Sequence, residues 1–189
     1  MPQSISNERI IIFGFTLINC WYTKISKLII LILTVFILYI TKSRLLLNNK
    51  LNCAIELPLV VGFSVLFMFF LTSTYDFFGM YLSLEGLSLT LYVLAGILNQ
   101  SVISIESAIK YFSLGAVSSG ILLFGVSYLF GLVGSLDFLE VQLFLSSSIQ
   151  NFSLLLELKV SVLCILFGLF FKLSAFPCHW WVADVYEGV

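Results

Sequence analysis

Charge is scarce in this chain. Lysine and arginine total nine and aspartate and glutamate ten among 189 residues, a net charge of −1. Soluble domains are roughly a quarter charged; here the share is 10%, against 60% apolar residues, and the mean hydropathy is +1.11. That scarcity excludes a water-soluble fold, and the missing basic excess leaves nothing to attract nucleic acid. The four cysteines, Cys20, Cys53, Cys164 and Cys178, have no paired spacing, so neither a disulfide framework nor a cysteine-held cluster is expected. A single histidine offers no axial pair for haem, and no glycine-rich phosphate loop follows a strand. No cofactor or metal site is therefore expected in this chain, and any redox chemistry belongs to partners. The start, MPQSISNERI, lacks a basic segment and a small-residue cleavage site, so no removable leader is expected.

What the chain has instead is apolar runs of helical-span length, without the period-two alternation of barrel strands. They fall at Ile10 to Tyr22, Ile25 to Ile40, Leu57 to Ser73, Phe77 to Leu98, Ile105 to Phe130 and Leu154 to Ala175. A tight link at Thr74 to Asp76 joins the third and fourth. A polar loop is expected at Asn99 to Ser104, and a surface helix around Leu136 to Leu145 within the longer Gly134 to Asn151 connection. The reading is an all-α polytopic membrane protein of about six transmembrane helices, a single domain over residues 1–189. Its basic loop, Lys42 to Lys50, faces the negative compartment. Phenylalanine, isoleucine and leucine dominate the composition, as in AT-rich organellar genes.

Two charges interrupt the apolar runs. Glu85 lies about eight residues into the run from Phe77, where a charge costs roughly 2.5–3.5 kcal/mol on insertion scales. It must face other helices. Tyr81, Ser88 and Tyr92 share its helical face, and a structural carboxylate bonded to these hydroxyls is the alternative to a functional one. Lys172 ends the last run on a face of small residues, Ser161, Ile165, Gly168, Lys172, Ala175 and His179, that lets another helix approach closely. Pro177 has no amide hydrogen, so the helix is expected to break near it. A lysine beside a broken intramembrane helix gains and loses a proton readily; a lysine at a helix end also snorkels to the surface. The residues leave both readings open, and Trp180, Trp181 and Tyr186 fit the interfacial belt of the second. His179 titrates in the working pH range, although a lone histidine more often packs or caps structure. Gly115, Ala116, Ser118, Ser119, Gly120 and Gly125 form a small-residue seam for helix packing. Glu106 and Lys110 stand one helical turn apart in the favourable order.

Three segments, Tyr81 to Ile97, Ser104 to Phe138 and Phe167 to Val189 (FGLFFKLSAFPCHWWVADVYEGV), resemble the antiporter-like membrane subunits of respiratory complex I, the proton-pumping NADH:ubiquinone oxidoreductase, and among these the N-terminal half of subunit 2. The match covers residues 57–189, and residues 1–56 match weakly. The resemblance implies half of an antiporter-like inverted-repeat fold whose last helix is broken. It puts Glu85 on the family's carboxylate and Lys172 on its lysine, an ion pair whose opening and closing drives proton transfer, with His179 a further candidate. It implies that flavin, iron–sulfur clusters and ubiquinone belong to partner subunits, and that the chain lies among lipids and other membrane-arm subunits of the mitochondrial inner membrane. Cys178 and Ala183 stand where the family has phenylalanine and proline. A full subunit continues into further helices, so a separate chain carrying the C-terminal half is expected. The competing expectations are a scaffold fragment without its own proton path and a cation/proton antiporter subunit.

Overall fold

A computed structural model describes residues 8–12, 15–47, 53–97, 102–147 and 152–188. A two-stranded antiparallel hairpin, β1 (Glu8–Ile12) and β2 (Phe15–Asn19), opens the order. Seven helices follow: α1 (Trp21–Leu47), α2 (Cys53–Ser73), α3 (Phe77–Ala95), α4 (Val102–Val133), α5 (Phe138–Ser147), α6 (Phe152–Lys172) and α7 (Trp180–Gly188). Residues 99–101 of the expected polar loop and residues 48–50 of the basic loop fall outside the described residues, while Val102 to Ser104, expected in the loop, already belong to α4.

The first apolar run is not a span. Thirteen residues fall well short of the roughly 20 that a membrane helix needs, and the β-branched stretch Ile10–Ile12 suits a strand. Its tail joins α1 instead, which is longer than the Ile25 to Ile40 run. Segments of α1, α2, α3 and α4 are long and apolar enough to cross a membrane. Beside them α6, at 21 residues, is as long as α2 and carries Glu157, Lys159 and Lys172. Among the described residues the expected count of about six is therefore not met, but the chain is a multi-pass membrane protein with helices as its bulk. The surface helix read around Leu136 to Leu145 is α5.

The elements sort to two ends. The β2 strand bridges to the α2–α3 link through Leu17 and Thr74, and that link bridges to the α4–α5 link through Asp76 and Asp137. The end of α3, the start of α4 and α7 occupy the opposite end. There the Ser104 hydroxyl donates to the Ala95 carbonyl at 2.8 Å, fastening the base of α4 to the end of α3.

Packing in the centre follows the small residues. A Cβ on Gly125 would stand 2.9 Å from the Ser161 carbonyl, and one on Gly168 would stand 2.6 Å from Leu122 Cβ. These glycines let α4 and α6 approach to near backbone contact, as the seam predicted. Leu122, Val126, Leu129, Val141 and Ile165 form the core there, with Phe77, Tyr81 and Leu84 packed against it. A second cluster, Phe171, Cys178, Trp181 and Val185, fixes α7 under the end of α6.

Candidate functional site

Glu85 stands in the middle of α3 and is half-buried. Its neighbours on the same helix have the polar character expected, but the Ser88 hydroxyl donates to the backbone carbonyl of Glu85, at 2.9 Å. The carboxylate meets Lys172 instead: Nζ donates to Oε2 at 3.4 Å, with the two side chains 14% and 27% exposed for lysine and glutamate respectively. Two charges each costly alone thus share one site between α3 and α6. In a low-dielectric surrounding their attraction offsets desolvation while they touch, and separation strands each one. Such a pair has two states of similar energy only when a proton or another charge arrives to replace the lost partner.

The position of Lys172 follows from how α6 ends. The Ala175 amide donates to the Phe170 carbonyl at 2.9 Å and the Ser174 amide to Phe171 at 3.1 Å, the paired bonds of a Schellman termination. Ser174 occupies the left-handed position, φ 56°, which usually falls to glycine. The helix therefore ends three residues ahead of Ala175, where the last run was expected to finish, and before Pro177. Lys172 becomes the last helical residue, with its positive charge beside the carbonyl end of the helix dipole. Turns through His179 then lead to α7.

Ser161, Ile165 and Gly168, read as one face with Lys172, are buried against α4. His179 is exposed, its ring 5.8 Å from that of Phe176; the structure does not bring it into the pair. Trp180 and Tyr186 are exposed as an interfacial belt requires, but Trp181 is buried, stacked between Phe171 and Tyr111 at 5.3 and 4.8 Å. Sequence reasoning also missed Asp184. It lies 3.7 Å from Lys110 Nζ, which bonds Glu106 at 2.9 Å as the one-turn spacing predicted. Nothing in the sequence spacing linked Lys110 to a residue 74 positions later; only the turn of α7 under α4 does so. Among the described residues no group of three or more histidine, cysteine or acidic side chains is placed to hold a metal ion.

The family model described as NADH:quinone oxidoreductase/Mrp antiporter, transmembrane, matches residues 74–189. The chain belongs to that family. The matched region holds both Glu85 and Lys172. NADH-quinone oxidoreductase subunit N of Hydrogenovibrio crunogenus is 37% identical over 186 residues, 98% of this chain and 38% of the relative. The subunit N of Bartonella bacilliformis is 44% identical over 133 residues, 70% of this chain and 26% of the relative. The chain thus spans well under half the length of these curated relatives. Among solved structures, a chain of respiratory complex I from Thermus thermophilus aligns with a TM-score of 0.58 at 33% identity, covering 70% of this chain and 28% of that one. A chain of the Mrp complex from Dietzia shares the fold, with a TM-score of 0.57 at 23% identity, covering 70% of this chain and 24% of that one.

Proposed function

We propose that the chain is a proton-translocating membrane-arm component of an NADH:quinone oxidoreductase, equivalent to the N-terminal part of its subunit 2, with Glu85 and Lys172 passing protons by making and breaking their ion pair. The observation that carries this reading is the 3.4 Å contact between two opposite charges from different helices of a strongly apolar chain. A purely structural pair would be replaceable by apolar side chains with little loss. A proton-transfer pair would not. The enzyme's redox chemistry, with flavin, iron–sulfur clusters and ubiquinone, belongs on this reading to partner subunits, and the location is the mitochondrial inner membrane. The remaining length of an antiporter-like subunit is proposed to pack beside α6, supplied by a separate chain; mass spectrometry of the native complex tests that by finding, or failing to find, such a chain.

The main test is Lys172→Met in the assembled complex reconstituted into vesicles. The expected outcome is normal assembly with proton translocation lost. Normal assembly with unchanged pumping contradicts the proposal, and loss of assembly in proportion to activity favours the scaffold alternative. A cation/proton antiporter subunit outside any redox enzyme is the third reading. It predicts that the purified native complex lacks flavin and iron–sulfur absorbance.

A further inference from the structure

Two aspartates begin two different helices and meet outside the membrane-crossing segments. Asp76 precedes α3, and the Met80 amide donates to its carbonyl at 3.1 Å; Asp137 precedes α5, and the Val141 amide donates to its carbonyl at 3.0 Å. The two residues lie opposite each other in an antiparallel bridge. The Phe77 amide donates to the Leu136 carbonyl at 3.1 Å and the Phe138 amide to the Tyr75 carbonyl at 3.3 Å. These bonds join the flanking residues and not the aspartates, so the pair is of the non-hydrogen-bonded kind. Such a pair brings Cα atoms to about 4.5 Å and sets both side chains on one face. On the other face of the two links, Phe138 meets Phe77 edge-on with centroids 4.7 Å apart and Tyr75 at 5.6 Å. The carboxyl groups are thus brought together by contacts that do not use them.

Asp76 is 5% exposed, and its Oδ1 has no hydrogen-bond partner among the described residues. The carboxyl lies over the first turn of α3, where a Cβ on Gly79 would stand 2.5 Å from Oδ1. A buried carboxyl oxygen ordinarily has a partner. The N-termini of α3 and α5 both favour a negative charge at this point, but a second charge directly opposite the first repels it. Tyr75 stands in the same link, and Glu140 of α5, Lys24 of α1 and Glu157 and Lys159 of α6 are exposed. The β2 strand, which bridges Thr74, carries no ionisable side chain, and β1 beyond it carries Glu8 and Arg9. Asp137 is the charged side chain whose field reaches Asp76.

We propose that Asp76 and Asp137 hold one proton between them and so clasp the α2–α3 link to the α4–α5 link, a clasp that opens when that proton leaves. In the closed state one carboxyl keeps its O–H and donates it to the facing carboxylate. The pair then carries a single negative charge, which the two helix N-termini favour. When the proton passes to water the pair carries two, and like charges in one partly dry site push the links apart. Burial and the charge of Asp137 hold the Asp76 carboxyl above its ordinary 3.8. The clasp is therefore closed in acid and opens as pH rises through the raised value. Its working does not depend on what the Glu85–Lys172 pair does.

The experiment follows hydrogen exchange at the Phe77 and Phe138 amides against pH, corrected for the intrinsic pH dependence of exchange, together with the infrared band of a protonated carboxyl. It uses the protein purified with its membrane partners, as wild type, Asp76→Asn and Asp137→Asn. Asparagine removes one charge and donates to the facing carboxylate as the protonated carboxyl does. The expected result in the wild type is protection that falls at least about tenfold as pH rises, with a carboxyl band lost over the same range. Both variants should lack that band and keep level protection. Where Asp76→Asn lowers the yield of folded protein, Asp137→Asn makes the same comparison at a half-buried position. Level protection in the wild type, or the wild-type slope retained in both variants, would overturn the clasp. So would protection at high pH that magnesium or calcium ions restore and a chelator removes, because the pair would then be a cation site.

Discussion

Asp76 precedes α3 and is 5% exposed, with Oδ1 finding no bonded partner among the described residues. The bridge to Asp137 is flanked by hydrogen bonds from Phe77 to Leu136 and from Phe138 to Tyr75. Two aspartates opposed in that register project side chains to one face. Burial raises the Asp76 carboxyl above its ordinary 3.8, backbone amides including that of Gly79 pull it back, and the charge of Asp137 raises it again. A raised value in the folded state means that the protonated form is favoured there. The site's favourable contribution is therefore complete below 3.8 and is lost as pH rises through the raised value. Thermal unfolding of the purified protein should accordingly weaken for the wild type across that rise, and less so for Asp76→Asn; parallel pH profiles would contradict this. The sequence showed Asp76 only as the end of a tight link between two apolar runs. Its partner across the bridge comes from a link some sixty residues later, which no local pattern reveals. Glu85 and Lys172 were legible for the opposite reason: a charge in an apolar run stands out whatever surrounds it, although the residues alone could not choose between a snorkelling lysine and a paired one.

At the scale of elements, α6 ends by its own capping bonds and not at the proline. The proline showed that a break must occur by Pro177, but its position depends on Ser174 adopting φ 56°, and serine gives no such signal in a sequence. Ser174→Gly should leave the chain as stable or slightly more so. Ser174→Val should cost about 1–2 kcal/mol, because a branched side chain fits the left-handed region poorly; unfolding temperatures of the two variants test this, and equal stability would argue against the cap. In the first apolar run, hydrophobicity alone did not separate a hairpin from a short span. Hydrophobicity also grouped Trp181 with its neighbours as interfacial, although it is buried. Only Trp180 and Tyr186 face outward, because the turn of α7 rolls one ring of the pair under α4. The small-residue seam packs in part: Gly115 meets Tyr92 and Gly125 meets α6, whereas Ala116 is exposed and Gly120 has open space in front of it.

At the scale of the whole molecule, the order of links sorts itself into two ends. One holds the hairpin, the α2–α3 link and α5; the other holds α7 and the base of α4. Between them the described interior is apolar and hydroxyl-bearing side chains, such as Ser88, Ser118 and Ser161, with Glu85 meeting Lys172 among them. The family match over residues 74–189 covers that meeting point and the break after it. The outer faces of α1, including Leu28, Ile32 and Phe36, are exposed apolar surface, as lipid or neighbouring membrane subunits require. On the proposed function, Glu85 and Lys172 act as one device. A double-mutant cycle on proton translocation in the reconstituted complex, with Glu85→Gln, Lys172→Met and both together, tests that claim most directly. The predicted result is a large loss in each single variant and no further loss in the double. Losses that multiply, or a single variant that pumps like the wild type, would contradict it.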